Sequence, residues 1–417
     1  MTQFMRKLLK QSRLIYIYLI FGFLGFVGIE SCAKDKPTAV TVSDEEEKEV
    51  KENASLAQIN FDTNGGVAIV SKDDYVEGVL TVNGQSEYDD LSIDAKIRGR
   101  GNSTWSYPKK PYKIKLSSDA PVLGMAPEKD WVLLANYIDG THLLNAVGMK
   151  IGQLLEMPFT NTIVPVEVTI NSEYRGLYML TEQVEVKTNR VNVGDDGILL
   201  NLDTNYDEEW QFKSDAYDLP VTIKYPKEMD ATKLASMKSQ FEMVEALVAQ
   251  EDFPNNQYLD YIDDVSIAKY LIVYMLTGNE EINHPKSTYI HKTSDGKFTM
   301  GPIWDFDWAF AYEDSFQHFS RFDKPLFWVP STKSGTQFFS KLLSDPKIKV
   351  LIKEHWGLFK ENDISELMNY IDDYAAKIQG AKARDFALWG NDNKEVSALK
   401  LWLENRVMYM DDFINNF

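Results

Sequence analysis

Apolar and polar positions alternate through most of the first half of the chain, from residue 59 to about 230. The run KKPYKIKL places Tyr112, Ile114 and Leu116 on one face and lysines on the other, which is the pattern of a half-buried strand. VPVEVTIN and YRGLYML read as two strands joined by a short turn, and only the stretch near 143–155 has helical spacing. The pattern predicts a β-rich first half with one inserted helix.

The second half changes to helical periodicity. Between residues 231 and 250 the apolar side chains recur at three- and four-residue intervals. Residues 262–279 read as a second helix with Asp264 and Ser266 as cap residues, and 287–300 as a short hairpin. Further helices are predicted at about 345–360, 364–380 and 394–416. We therefore predict an α+β fold, with a β-rich lobe over 58–230, a helical lobe over 231–417, and a cleft between the lobes.

The N-terminal residues have the pattern of an export signal. The first thirteen residues carry four basic and no acidic side chains, and residues 14–29 are uncharged. Sixteen residues are short for a spanning helix, which needs about 20. Cys32, the only cysteine, follows Ile29-Glu30-Ser31 as in a lipoprotein signal. We predict a signal peptide over 1–31, lipidation of Cys32, a tether over 32–57, and thus an exported, membrane-anchored lipoprotein of the bacterial cell envelope. The alternative is a short membrane anchor that ends in a cysteine.

The charge balance limits the partners. The chain has 44 Lys and Arg residues against 63 Asp and Glu residues, for a net charge of −19. Because nucleic-acid affinity rests largely on Lys and Arg, no nucleic-acid partner is expected. One cysteine excludes an internal disulfide framework and a cysteine-rich zinc site. A protein substrate, a surface ligand and the membrane contacted by the lipid anchor remain.

The most informative motif is Gly301-Pro302-Ile303-Trp304-Asp305-Phe306-Asp307-Trp308. Two aspartates sit in an aromatic and apolar run, where unpaired burial of their charges would be costly. Mg²⁺ or Mn²⁺ fits best, because these ions prefer carboxylate oxygens. The alternative is a pair of aspartates that cap a helix or bind backbone amides.

A second motif combines glycine with basic residues. Residues 98–103 read Arg-Gly-Arg-Gly-Asn-Ser, and five residues later begins a lysine-rich strand. A glycine-rich turn lets backbone N–H groups approach an anion such as phosphate. The motif matches neither the Walker A pattern nor GxGxxG. The motif is also compatible with an ordinary hairpin turn. The lysines of the strand are also compatible with a face exposed to solvent.

The loop at 278–288 holds acids, amides, a histidine and a lysine directly after an apolar helix. Such a loop offers a base, a metal ligand and a phosphate contact. It is equally compatible with an ordinary polar loop, in which His284 before Pro285 builds a turn.

Four blocks follow one another along the chain: RGRGNSTW with KKPYKIKL, then WVLLANYIDGTHLLN, then YRGLYMLTEQVE, and last TGN with KSTYIHK and GPIWDFDWAF. Together, in this order, they resemble the spore coat protein H (CotH) family of atypical kinases. The resemblance extends over 59–312. It implies a two-lobed, protein-kinase-like fold that uses ATP and Mg²⁺ or Mn²⁺ to phosphorylate a protein hydroxyl. It also implies Asp305 as a catalytic, metal-binding carboxylate with Asp307 as its partner. The phosphate contacts implied are Arg98, Gly99, Arg100, Gly101, Asn102, Ser103 and either Lys110 or Lys115, with Glu182 paired to a lysine or metal. Asp139 and Asn145 fit a structural role equally well.

One position departs from the family. Its Gly-Asn-x-Asp motif provides the presumed catalytic base, and this chain has Glu281 there, one methylene longer. Glu281 is thus a candidate for the base, and Asn283 is a candidate metal ligand. If catalysis is lost, one alternative is a pseudokinase or glycan-binding lipoprotein, in which Trp105, Trp304 or Trp308 stacks on sugars. The other alternative is a structural surface protein.

Overall fold

The computed structural model describes residues 55–206, 208–313, 317–391 and 394–417. The predicted signal peptide, Cys32 and nearly all of the tether lie outside the described residues. Among the helices of the described part, none is long and apolar enough to cross a membrane.

A closed, seven-stranded barrel forms the first part of the fold, in the order β1-β2-β3-β4-β5-β7-β6. Its strands are β1 (Ala57–Thr63), β2 (Val76–Asn83), β3 (Leu91–Gly99), β4 (Tyr112–Val122), β5 (Met125–Leu134), β6 (Ile163–Ile170) and β7 (Glu173–Glu182). Alternate side chains such as Ile97, Ile114 and Val166 point inward and fill the barrel with their own hydrophobic core. The barrel closes where β1 pairs with β6 in parallel.

The predicted hairpin and inserted helix are both confirmed. Strands β6 and β7 pair antiparallel around Asn171 and Ser172, which have φ values of 52° and 64°. Helix α1 (Leu144–Leu154) lies between β5 and β6 in the chain. Asp139 accepts hydrogen bonds from the backbone N–H groups of Thr141 at 2.8 Å and Leu144 at 2.9 Å. These bonds order the approach to the helix, so Asp139 has the structural role that the sequence left open.

A second, five-stranded sheet crosses the predicted lobe boundary at residue 230. It has the order β12-β11-β8-β10-β9. Three strands precede the boundary, β8 (Ile198–Leu202), β9 (Gln211–Lys213) and β10 (Pro220–Tyr225); two follow it, β11 (Thr288–Lys292) and β12 (Thr299–Met300). Strand β11 pairs with β8 over five residues. Hydrogen bonds between distant segments therefore join chain from both sides of residue 230 in one sheet.

The remaining chain is helical, and the α+β class is confirmed. Its helices are α2 (Ala231–Ala249), α3 (Asp264–Thr277), α4 (Ser334–Ser344), α5 (Pro346–Asn362), α6 (Ile364–Trp389) and α7 (Val396–Asn415). Helix α4 was not predicted. Asp263, and not Asp264, caps α3, since its carboxylate accepts from the Ser266 N–H. Helix α3 is buried on nearly all sides, which explains its almost uninterrupted apolar sequence.

Candidate functional site

One cavity of about 240 Å³ brings together segments that are distant in the chain. It is lined by parts of 100–104, 134–138, 201–205, 286–289 and 304–307, together with Glu281. The glycine-rich turn after β3 forms one wall, and the loop after β12 that carries Asp305 and Asp307 forms another. The two motifs that the sequence singled out therefore face one cavity.

Helix α1 holds the acidic loop in place. Asn145 Oδ1 accepts from the Phe306 N–H at 2.9 Å, and its Nδ2 donates to Asp307 Oδ1 at 2.7 Å. Gly148 lies one turn further along the helix, where a Cβ atom would collide with the Phe306 ring. Asp305 itself has a φ of 65°, a conformation uncommon for residues other than glycine and found more often at functional sites. The loop is thus tightly constrained.

Asn279 connects the acidic loop to Glu281. Helix α3 ends at Gly278, whose φ of 57° turns the chain out of the helix. The buried Asn279 side chain then accepts from the Glu281 N–H at 3.1 Å and donates to the Asp305 carbonyl at 3.1 Å. One amide therefore sets the position of the candidate base relative to the candidate metal-binding carboxylate.

The pKa values of all three acids of the site are raised, chiefly by burial. Burial raises the pKa of Glu281 well above its ordinary value, and the charge of Asp305 adds to the shift. Burial and the neighbouring Asp305 raise the pKa of Asp307 to about 8. Burial also raises the pKa of Asp305, although Arg100 partly offsets this. A concentration of mutually repelling carboxylates is stabilised by a cation.

The carboxylate oxygens of the site fit Mg²⁺ or Mn²⁺ bound through few protein ligands. Asp305 and Asp307 provide carboxylate oxygens, the ligands that these ions prefer. In the part of the chain that the structure describes, no three His, Cys, Asp or Glu side chains are grouped to hold a metal. Mg²⁺ commonly binds to one or two carboxylates and completes its octahedron with water and phosphate oxygens. The residues present fit that mode and not an all-protein cage.

Positive charge lines the same cavity. The Arg100 guanidinium lies 5.6 Å from the Trp304 ring centre, and the Lys286 ammonium 4.4 Å from that of Trp308. Burial lowers the pKa of Arg100, and Asp305 opposes that shift. Gly101 has a φ of 83° and no space for a Cβ beside Thr104, so the turn requires glycine. This wall combines a cation with closely approachable backbone, as phosphate binding requires.

Two residues predicted to contact phosphate lie before the cavity on β3. Arg98 pairs with Lys113 on β4, and its guanidinium lies 5.1 Å from the Tyr75 ring centre. Gly99 lies against the Trp105 ring, where a Cβ would collide. Neither lines the cavity, whose wall begins at Arg100 and continues through Gly101, Asn102 and Ser103.

The two lysines proposed to reach phosphate are placed elsewhere. Lys110 Nζ donates to the Trp105 carbonyl at 2.7 Å. Lys115 Nζ lies 3.8 Å from Asp130 Oδ2, on the outer face of the barrel. Neither lines the cavity. The sequence missed Lys109, which does line it and is fully buried.

Two further candidates are used in internal hydrogen bonds. Glu182 accepts from the Thr162 N–H at 2.8 Å and forms no ion pair with a lysine among the described residues. Asn283 Nδ2 donates to the Leu326 carbonyl at 2.9 Å, and its Oδ1 accepts from Thr336 Oγ1 at 2.6 Å. Neither side chain lines the cavity. Both polar atoms of the Asn283 side chain are thus bonded within the helical part, and its role as a metal ligand stays a prediction.

The structure adds Asp203, which the sequence analysis missed. Its carboxylate accepts from the backbone N–H groups of Asn205 at 2.8 Å and Ser287 at 3.2 Å. It joins the end of β8 to the loop that carries Lys286, and it lines the cavity. Asp203 follows an ordinary apolar strand, so no local pattern distinguishes it from a turn aspartate.

A cavity that combines a glycine-rich cationic turn with neighbouring carboxylates has groups suited to phosphate and to a cation. The family model described as CotH kinase protein matches residues 97–410, which is most of the chain. The chain therefore belongs to the CotH kinase family, for which an atypical, kinase-like activity is expected. Among curated proteins, none matches this chain significantly.

Proposed function

We propose that this protein is an atypical kinase with a two-lobed, kinase-like architecture, which transfers the γ-phosphoryl group of ATP to a hydroxyl group of a protein. The observation that carries the proposal is the single cavity shared by the glycine-rich turn, Glu281 and the Asp305 loop. In phosphoryl transfer, positioning and electrostatic stabilisation provide most of the acceleration. The cavity offers groups for both tasks.

The triphosphate is held by the cationic wall. Arg100 and Lys286 neutralise phosphate oxygens, while the backbone at Gly101, Asn102 and Ser103 approaches them closely. Asp305 and Asp307 would hold Mg²⁺ or Mn²⁺. When bound, the metal neutralises phosphate charge. Asn145 and Asn279 keep the two aspartates in position through the hydrogen bonds described above.

Glu281 acts as the base. Its carboxylate takes the proton of the accepting hydroxyl as that oxygen forms a bond to the γ-phosphorus. The bond from the γ-phosphorus to the bridging oxygen breaks, and ADP leaves with its electron pair. Burial and the neighbouring acids raise the pKa of Glu281, and Lys286 lowers it. A raised pKa strengthens the carboxylate as a base, and the positive charge of Lys286 favours its ionised form.

The test is transfer of labelled phosphate. Residues 33–417, purified with Mn²⁺ or Mg²⁺ and γ-labelled ATP, are expected to label themselves or casein. Asp305→Asn is expected to abolish labelling, because it removes a charge that holds the metal. Lys115→Ala is the matched control; it lies outside the cavity and is expected to label normally.

Two results would contradict the kinase proposal. If sugars stabilise the protein thermally and nucleotide with metal does not, the chain is a ligand-binding lipoprotein and the kinase proposal fails. Equal labelling by wild type and Asp305→Asn would also contradict it.

We further propose that the protein is exported and anchored through lipid on Cys32, on the basis of the N-terminal sequence alone. Metabolic labelling with palmitate should mark the wild-type protein and leave Cys32→Ser unlabelled. An unlabelled wild-type protein in the cytoplasmic fraction would contradict this.

A further inference from the structure

Two asparagines in the wall of the cavity each have one amide atom without a hydrogen-bond partner among the described residues. Asn136 is 3% exposed and Asn201 is 2% exposed. The unpaired atom is Nδ2 in Asn136 and Oδ1 in Asn201. Buried polar atoms are rarely left unpaired, because the loss of hydration is not compensated. Such atoms in a cavity wall indicate where a ligand bonds.

Neighbouring groups fix which end of each amide is unpaired. The Phe306 N–H is an obligatory donor, so the atom of Asn145 that faces it is Oδ1. Asn145 Nδ2 therefore donates to Asn136 Oδ1, at 3.3 Å, which leaves Asn136 Nδ2 unpaired. In Asn201 the Nδ2 donates to Asp203 Oδ2 at 3.2 Å, which leaves Oδ1 unpaired. The cavity thus contains one unused donor and one unused acceptor.

The surroundings of Asn136 favour an anionic ligand. The same Asn145 amide that contacts Asn136 also contacts Asp307, so the unused donor lies close to the proposed metal carboxylates. Arg100 and the glycine-rich turn line the same cavity. An uncharged amide N–H can donate to a phosphate oxygen, and it brings no positive charge that would repel a metal ion.

We propose that Asn136 Nδ2 donates a hydrogen bond to a phosphate oxygen of the bound nucleotide. This hydrogen bond rests on the proposed function, and it adds a phosphate contact outside the glycine-rich turn. Asn136 lies two residues after the end of β5 and has a φ of 48°.

Asn201 provides a matched control. It is the same residue type, equally buried and in the same cavity, but its unused atom is an acceptor that a phosphate oxygen cannot bond. Substitution of Asn201 is therefore expected to leave phosphate affinity unchanged, whereas substitution of Asn136 reduces it.

The experiment is calorimetric titration with ADP and Mn²⁺, and separately with pyrophosphate and Mn²⁺. Asn136→Ala is expected to weaken both ligands by about tenfold, the range for a hydrogen bond to a charged group. Asn136→Asp is expected to weaken both further, because it places an anion against phosphate. Asn201→Ala is expected to stay within about twofold of wild type for pyrophosphate, which has no donor for the unused acceptor.

Each other outcome is informative. If Asn136→Ala binds both ligands like wild type, or Asn201→Ala loses as much pyrophosphate affinity as Asn136→Ala, the proposal is overturned. Loss of ADP affinity with normal pyrophosphate affinity would place the contact at the base or ribose and overturn the phosphate assignment. If wild type binds neither ligand, the proposed function itself fails.

Folding is checked separately by urea unfolding of each variant. Asn136→Ser is the second variant should Asn136→Ala unfold, because serine keeps a polar oxygen that can accept from Asn145. The same tenfold loss of affinity for both ligands is expected of it, and wild-type affinity in a folded Asn136→Ser would overturn the proposal.

Discussion

Asn145 Nδ2 lies 2.7 Å from Asp307 Oδ1 although 162 residues separate the two in the chain. The same side chain accepts from the Phe306 N–H, so a helix inserted between two barrel strands holds the loop that follows the second sheet. The acidic loop therefore depends on a residue that has no charge of its own.

Asn145→Ala should lower both stability and metal-dependent nucleotide affinity. It leaves the buried Phe306 N–H without its acceptor and frees the Asp307 carboxylate, so we expect a loss of about 1–3 kcal/mol in the free energy of unfolding. Urea unfolding measures the first effect, and titration with ADP and Mn²⁺ the second. Asn405→Ala, at a half-buried position on α7 where the amide donates to the Leu401 carbonyl of the same helix, is the control and should change neither. Unchanged stability in Asn145→Ala would contradict the positioning role.

Asp307→Asn should stabilise the metal-free protein at alkaline pH. The folded carboxyl has its pKa raised to about 8 by burial and Asp305, whereas the unfolded carboxyl ionises near 4. Between these values the folded state binds more protons, so the wild-type free energy of unfolding falls as pH rises from about 4 to about 8.

The measurement is the melting temperature in EDTA from pH 5 to pH 9. Asp307→Asn should lose less stability across this range than wild type. With Mn²⁺ added at pH 8 the order should reverse, because the wild-type carboxylate then has a cation. The same pH dependence in both proteins would show that Asp307 does not have a raised pKa.

Glu281→Gln should abolish transfer while leaving nucleotide binding intact. It removes the proton acceptor, and general-base contributions are typically about 10²–10⁴-fold in rate. Glu281→Asp keeps the carboxylate and should retain far more activity than Glu281→Gln. Initial rates of phosphate labelling, compared with Kd values for ADP and Mn²⁺, separate the two effects. Equal rates for Glu281→Gln and wild type would exclude Glu281 as the base.

Lys109→Ala should destabilise the fold strongly. Lys109 Nζ lies 2.6 Å from Asp385 Oδ1, both side chains are fully buried, and Asp385 Oδ1 also accepts from the Leu177 N–H at 2.8 Å. Burial lowers the pKa of Lys109 to about 8 even though Asp385 opposes the shift. Removing one partner of a buried pair typically costs about 3–5 kcal/mol.

Urea unfolding measures this cost. Lys115→Ala, a substitution of a half-exposed lysine on β4, the strand that follows Lys109, should change the free energy of unfolding by no more than about 0.5 kcal/mol. The double substitution Lys109→Met with Asp385→Leu should recover part of the loss, since it leaves no unpaired buried charge. Equal stability of Lys109→Ala and Lys115→Ala would show that the pair contributes little.

Much of the secondary structure was predictable because it follows from local periodicity. The alternation around Ile114 gave β4, and the helical spacing of Met237 and Phe241 gave α2. Lys109 and Asp203 were missed for a different reason. Neither differs in its local sequence from an ordinary lysine or turn aspartate, and their roles come from partners more than 80 residues away.

The sequence by itself determined the α+β class, the family, and the two motifs that form the walls of the cavity, because residue types and their spacing are local properties. The tertiary structure decided that the barrel closes and that strands on both sides of residue 230 share a sheet. It also decided which lysine faces the cavity and that Asn283 is used internally. These depend on long-range pairing and burial, in which identical side chains acquire different partners according to where the chain folds back.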